Sequence, residues 1–487
     1  MEVEGPQKTF LLFDFRHIRC GDLEWRSPEG ELLPIYPSTL QVEAAAHGGM
    51  LPRGIRLVAQ QAHKGDLLPP GTSLGRVIYD GGRYRSCYLH SEFARSEDDK
   101  GSYSRVVPAS VNVCHVESED GMDWSAPHRC RLDVPGQWGL DGATWFTDPV
   151  APASERYKLL YMAHPPAGQE ADLLRRYQKV HPRYRDVRIR EGNVTCIYGA
   201  ASPDGLEWAP IRDPLMIHYS DTDTTVYYDA WLGRYVMYTR LYWQDRRWVA
   251  RAETADFRRW DHVEPLLWPP LDGLPSDDIY TNGRCAYPGL PGYHLMFPMF
   301  YHRYTQSSDI RLFISADGVC WGRVPGGPVL EPGRPGDWDG AFLFARNDLV
   351  PLGSERVGML YAGTRFPHKY PRWPAVLAAG RMAWAWWPQG RLCAVRADQE
   401  GEFFTFDLLP AGRQLRLNLR TQRSGQVRVG LAGIEGRSVE HCAPIFGDSL
   451  AAPVHWKGQA DIAVPEGQPV TLHFRLRAAD LFGFNWV

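Results

Sequence analysis

The chain has nine cysteines in 487 residues but no C-x-x-C pair; they lie scattered at positions 20, 87, 114, 130, 196, 285, 320, 393 and 442. An odd, dispersed set without metal-ligand spacing argues against a disulfide framework or zinc cluster and reads as reduced core thiols. No apolar run approaches the roughly 18 residues that cross a bilayer as a helix, so no membrane span is expected. The opening MEVEGPQKTF lacks a basic segment followed by an apolar one, so a cytoplasmic location is expected, a trimmed export signal aside. Net charge is only −3, which leaves no electrostatic footprint for nucleic acid or an anionic membrane surface. Helical spacing is nearly absent too. The exception is 169–190, QEADLLRRYQKVHPRYRDVRIR, a polar and basic insertion expected to hold a short surface helix.

What the chain has in quantity is aromatic and β-branched sequence. Its 18 tryptophans and 23 tyrosines suit twisted sheets, and an aromatic ring also stacks on the CH-rich face of a sugar. One short unit recurs five times: GRYRSCY at 82–88, ERYKLLY at 155–161, GRYVMY at 233–238, GYHLMF at 292–297 and ERVGMLY at 355–361. Each follows another β-like run that ends in turn residues, so the pairs read as hairpins. Four of the five are followed by a second signal. Residues 118–124, 202–208 and 315–321 share S-x-D-G-x-x-W, and 254–260 (TADFRRW) is a degenerate copy. Asp-Gly favours a tight turn between outer strands, with the tryptophan capping the sheet edge; this is a structural device that phases the repeat.

Five repeated four-stranded units predict an all-β fold: a five-bladed β-propeller over 1–375, followed by a β-sandwich over 376–487. Residues 1–70 are partly extension, with TFLLFDF at 9–15 expected to close the ring on the last blade. After about 375 the alternating runs EFFTFDLL, RQLRLNLRT, QVRVGLAG and PVTLHFRLR carry no blade signature, which suggests the sandwich.

In such a ring the innermost strands line a shared axis. Just upstream of successive inner strands lie Asp141, Asp223, the pair Asp277 and Asp278, and Asp339. Carboxylates crowded about one axis raise each other's pKa, the condition a general acid requires. Tyr280, Asn282 and Arg284 alternate along the fourth inner strand and can share its channel face. Arg346 and Asn347 lie in the fifth blade. Trp145, Trp243 and Trp338 flank the acidic segments as candidate sugar platforms, and Tyr301, His302 and Arg303 form a polar cluster at the rim. Asp148, Asp229 and Asp348, which follow the inner strands, read as turn residues.

FLLFDFRHI, RYKLLY, the S-x-D-G-x-x-W turns, DTTVYYD, DDIYTNG and GDWDGAF, with GDSLAAPVHWKG and VTLHFRLRAADLFGF near the end, resemble in order the five-bladed glycoside hydrolases of families 32 and 43. The resemblance implies hydrolysis of a glycoside by inner-strand carboxylates, with Asp14 as the counterpart of the family's N-terminal aspartate. The sequence departs from that pattern: it has no W-x-N-D-P-N-G motif and no E-C pair, and Arg212-Asp213-Pro214 falls in an outer loop. These departures argue against fructan hydrolysis. The expectation is therefore an exo-acting glycosidase. Asp141 and Asp223 would serve as nucleophile or base and as orienting carboxylate, Asp278 as general acid. Asp14, Asp339, Asp277, Tyr280, Asn282, Arg284, Trp145, Trp338, His302 and Arg346 would hold the sugar. No cofactor is required, although the acids leave room for a structural calcium ion, and homo-oligomerisation is open. The rivals are a glycoside phosphorylase, with Arg240, Arg284, Arg346 and His302 as phosphate ligands, and a non-catalytic carbohydrate-binding propeller.

Overall fold

The computed structural model describes residues 7–19, 52–93, 108–133, 141–180, 185–222, 224–269, 271, 273–368 and 380–487. Among these the fold is all-β, with one α-helix, Glu170–Val180, inside the insertion where helical spacing was read. The chain divides into two compact units. One comprises 62–323 and 328–386, and the other comprises 1–61, 324–327 and 387–487.

The larger unit is built from five successive sheet groups. The first pairs Arg76–Asp80, Arg83–Phe93, Pro108–Ser118 and His128–Arg129 in order. The second runs Asp141–Thr147, Tyr157–Ala163, Cys196–Ser202 and Glu207–Ile217; the third runs Thr225–Asp229, Arg234–Trp243, Arg246–Thr254 and Glu264–Leu267. The fourth is split. Asp278–Thr281 pairs through Met299–His302 to Ser307–Ile310, while Arg284–Tyr287 pairs through Leu290–Met296 and Phe313–Ser315 to Trp321–Arg323. The fifth orders Phe342–Ala345, Arg356–Thr364, Arg381–Pro388 and His63–Leu67. Arg76–Asp80 touches Asp141–Thr147, which touches Thr225–Asp229. Asp278–Thr281 then touches Arg234–Trp243, Met299–His302 touches Phe342–Ala345, and Val350–Leu352 touches Arg76–Asp80. The order of contacts thus closes on itself.

The closing strand is not the one expected. His63–Leu67 completes the fifth group by pairing with Arg381–Pro388. Thr9–Leu11, which the sequence suggested for that role, pairs instead with Leu472–Trp486 in the other unit. Phe10 stacks there on Phe484 at 4.9 Å, so the apolar face of TFLLFDF is satisfied in that unit's core.

The S-x-D-G-x-x-W turns explain how neighbouring groups lock together. In each copy the Asp side chain accepts two backbone N–H groups, from 122 and 123, 206 and 207, or 319 and 320. Gly121, Gly205 and Gly318 take φ of 78°, 83° and 71°, a region that favours glycine. Each closing tryptophan donates its indole N–H to that glycine's carbonyl, at 3.0–3.1 Å. A second donor reaches each of these carbonyls from the preceding group: Trp384 Nε1 to Gly121 at 2.9 Å, the Cys87 thiol to Gly205 at 3.9 Å, and Tyr238 Oη to Gly318. The motif is cement between sheets.

The middle of the ring is filled. Arg76 Nε pairs with Asp348 Oδ2 at 2.6 Å, Arg76 Nη1 donates to the Val226 carbonyl at 3.4 Å, and Trp145 Nε1 donates to the Arg76 carbonyl at 3.0 Å. Four sheet groups meet in this cluster. Asp348 is therefore an ion-pair partner and not the turn residue expected; burial raises its pKa, against the pull of Arg76 and Arg284.

The smaller unit is one hydrogen-bonded sheet ordered Arg56–Ala59, Cys393–Phe404, Leu472–Trp486, Leu415–Leu431 and Asp448–Pro453, with Thr9–Leu11 also on Leu472–Trp486. Its long strands carry register shifts between Ala397 and Glu400 and between Thr421 and Gln426. Phe403 stacks on Phe474 at 4.9 Å in its core. Asp14 lies in this unit, bound by the Arg16 guanidinium at 2.7–2.9 Å.

Candidate functional site

In every group the first strand begins, and the second ends, on the same side of its sheet. Here the turns 244–245 and 303–306 and the insertion 164–195 also emerge, so acids, aromatics and arginines far apart in sequence assemble on one face. Asp141 opens the second group's first strand and is exposed; its Oδ1 accepts the Gly142 N–H at 2.8 Å. Gly142 has φ +57°, and a Cβ there would stand 2.7 Å from the carbonyl oxygens of both Ser220 and Thr222. Asp141 is thus held against the segment 220–222 by a contact only glycine permits. Asp221 in that segment is half-buried, accepts the Tyr219 hydroxyl at 3.2 Å and forms an ion pair with the buried Arg240. Asp223 lies outside the described residues.

Asp278 is differently engaged from the expectation. Its carboxylate is fully enclosed and takes four donors: Arg247 N at 2.9 Å, Arg247 Nη1 at 2.6 Å, and Arg303 Nε and Nη2 at 2.7 and 2.9 Å. Four N–H donors occupy the two oxygens and leave none facing a substrate, so the general-acid role read from sequence does not fit this geometry. Asp278 instead fixes two arginines. Asp277 is also buried; its Oδ2 bonds His302 Nδ1 at 3.1 Å, and His302 Nε2 bonds Asp309 at 2.8 Å. The bond to Asp309, helped by that to Asp277, outweighs burial and raises the His302 pKa. Asp309 would be pushed up by burial, but His302 and Arg311 hold it below its ordinary value. Asp339 is buried, paired with Lys64 Nζ at 2.6 Å and bonded by the Tyr361 hydroxyl at 3.2 Å, with Trp338 tilted onto Tyr361 at 5.4 Å.

Several expected sugar contacts prove to be packing. Trp145 is completely buried and its indole N–H is satisfied inside the ring, so it is no platform. Trp243 packs on Trp248 at 4.8 Å. Asn282 accepts the Thr225 hydroxyl at 2.9 Å and donates to the Tyr238 carbonyl, joining the third and fourth groups. Arg284 is buried, lies 3.3 Å over the Tyr227 ring and bonds His294 at 2.9 Å, which removes it as a phosphate ligand. Arg346 lies over Phe344 at 5.1 Å.

Tyr280, by contrast, belongs to an alternating array of rings and cations. Arg188 lies over Tyr219 at 5.6 Å and Tyr242 at 4.4 Å, and Arg240 over Tyr242 and Tyr280 at 4.8 and 4.9 Å. Arg247 lies over Tyr280 at 4.8 Å, and the Tyr280 hydroxyl meets His368 Nε2 at 3.3 Å. Beside this array opens a cavity of about 470 Å³ lined by Val187, Arg188, Tyr242, Asp245, Arg247, Tyr301, Arg303 and Gln306. Arg188 is placed there by Asp186, a buried carboxyl whose oxygens accept the backbone N–H of Arg188 at 2.8 Å and of Tyr242 at 3.1 Å. Burial raises the Asp186 pKa to about 7, more than those two bonds lower it.

No protein-family model matches the sequence, and no curated protein matches it. Similar solved structures are distant. One described as a glycoside hydrolase is 14% identical at TM-score 0.43, covering 72% of this chain and 95% of its own. A β-1,2-mannobiose phosphorylase from Listeria innocua is 12% identical at TM-score 0.43, covering 69% and 91%. A family 32 β-fructofuranosidase from Bombyx mori is 11% identical at TM-score 0.39, covering 92% and 97%.

Sequence reasoning passed over Asp186, Arg188, Tyr219, Asp221, Tyr242 and Arg247. For two of these a signal existed: Tyr242, which alternates with Arg240 in RLYW, and Asp221, two residues before Asp223 in SDTDT. Asp186 gave none, because its partner Tyr242 is 56 residues away.

Proposed function

We propose that the chain is a carbohydrate-active enzyme of the glycosidase type, a five-bladed β-propeller with an appended β-sandwich, working at the face where the inner strands begin. The observation that carries this reading is the contact of Gly142 with the carbonyls of Ser220 and Thr222. It sets the exposed Asp141 beside the segment 220–222, which carries Asp221, next to Tyr219 of the array. Hydrolysis of a glycosidic bond needs one carboxylic acid to protonate the leaving oxygen and one carboxylate as nucleophile or as base for water. Asp141 and Asp223 fill those two roles, and Asp278 acts through the arginines it holds. The Arg76–Asp348 cluster, which joins four sheet groups, supports a pocket open on one side, and with it an exo-acting enzyme.

The test is a screen of aryl glycosides and oligosaccharides with and without phosphate, repeated with Asp141→Asn and Asp223→Asn. Phosphate-independent turnover in the wild type, lost at least about a hundredfold in both folded variants, is the expected result. Turnover that requires phosphate would make the protein a phosphorylase. Binding of unchanged oligosaccharide would make it a non-catalytic carbohydrate-binding protein, and full activity in both variants would remove the carboxylate assignment.

A further inference from the structure

The Arg-lined cavity has a charge pattern that a neutral sugar does not use. Three guanidiniums face it, from Arg188, Arg247 and Arg303. Against them stand Asp278, sealed behind Arg247 and Arg303, and the exposed Asp245. Among the described residues the Arg188 guanidinium forms no ion pair, although the buried Asp186 carboxyl lies near enough to feel its charge; the residue is half-buried and its guanidinium rests on the Tyr219 and Tyr242 rings. A half-buried guanidinium whose donors meet no hydrogen-bonded anion leaves them to an anionic ligand. Arg247 donates Nε to the Tyr242 hydroxyl at 3.0 Å and Nη1 to Asp278, and Arg303 donates Nε and Nη2 to Asp278. That leaves Arg247 Nη2 and Arg303 Nη1 as further donors on two guanidiniums already locked in place.

We infer that this cavity is a subsite for an acidic sugar residue, whose carboxylate or sulfate is bound by Arg188, Arg247 and Arg303 in a cavity walled in part by Tyr242 and Tyr301. Planar guanidinium donors match an oxyanion in paired hydrogen bonds. The volume, about 470 Å³ with two tyrosines in its wall, is that of a site for a ring-sized ligand and not for a lone inorganic anion. Tyr219 links the subsite to the proposed centre, since its ring faces Arg188 and its hydroxyl donates to Asp221. The inference rests on the glycosidase reading for its place beside the cleaved bond, but the charge argument is independent of it.

The test is calorimetric binding to the full chain, read in Asp141→Asn so that turnover plays no part. The probes are methyl glucuronoside and methyl galacturonide, their neutral counterparts methyl glucoside and methyl galactoside, and inorganic phosphate. At least one uronide is expected to bind about tenfold or more tightly than its neutral counterpart and to weaken as salt rises. Arg188→Met, which keeps an apolar stem on Tyr242, is expected to abolish that preference, while Arg190→Ala, an exposed arginine outside the cavity lining, leaves it intact. Equal binding of acidic and neutral sugars, phosphate binding without uronide binding, or an undiminished preference in folded Arg188→Met would each overturn the inference. Uronide preference in a protein that hydrolyses no glycoside would sink the glycosidase reading and leave the subsite standing.

Discussion

Replacing Asp278 by asparagine separates two roles with different consequences. Asp278 is fully enclosed, and its two oxygens take four N–H donors from Arg247 and Arg303 at 2.6–2.9 Å. Asparagine keeps one oxygen, and so at most two of the four donors, and turns an NH₂ group toward the rest. Both guanidiniums then lose their counter-charge, although Arg303, with about a third of its side chain exposed, recovers part of the loss from water. Removing one member of a buried ion pair costs about 3–5 kcal/mol. With a urea dependence near the upper end of the usual range, about 3 kcal/mol per molar, the unfolding midpoint of the larger unit should fall by about 1–1.7 M, followed by tryptophan fluorescence. Activity should fall by a similar factor for activated aryl glycosides and for alkyl glycosides, because the arginines move and no proton donor is lost. A general acid behaves otherwise: its loss spares substrates whose leaving group needs no protonation. An Asp278→Asn protein of wild-type stability that cleaves only activated substrates would refute this reasoning and restore the general-acid role.

Two further outcomes follow from the same face. Asp186 has a folded pKa of about 7 against an ordinary 3.8, so its contribution to stability is fully present below about pH 4 and is lost as pH rises through 7. At about 1.4 kcal/mol per unit the loss is on the order of 4 kcal/mol; the stability of wild type relative to Asp186→Asn, measured by urea unfolding from pH 5 to pH 8.5, should therefore fall with pH, and a flat difference would contradict the burial argument. Gly142→Ala places a Cβ 2.7 Å from two carbonyl oxygens at φ +57°, and should cost about 1–3 kcal/mol and lower kcat/KM as Asp141 is pushed away from segment 220–222; wild-type kinetics in that variant would show that the contact does not position the acid.

Much of the scaffold was legible because it is locally encoded. Each S-x-D-G-x-x-W turn is closed by bonds spanning two or three residues, from Asp to the following N–H groups and from Trp to Gly, so the residue types alone specify it. The hairpins are legible for the same reason, as is the helix Glu170–Val180. The ring closure was misread because TFLLFDF and the segment His63–Leu67 are both plausible edge strands, and only the long-range partner decides between them. The acids were legible as positions and not as roles. Asp141, Asp278 and Asp339 recur at equivalent places, yet one is exposed, one is bound by two arginines and one by a lysine.

By itself, then, the order of amino acids determined the all-β character, the fivefold recurrence and the turns that phase it, since these depend on side-chain alternation and backbone preferences acting over a few residues. Only the tertiary structure decided which carboxylates stay exposed and where the arginines gather. Charge neutralisation acts through space: Asp278 meets Arg247 and Arg303 across 31 and 25 residues of chain, and Arg76 meets Asp348 across 272. No short-range pattern encodes those distances; the register of the sheets does.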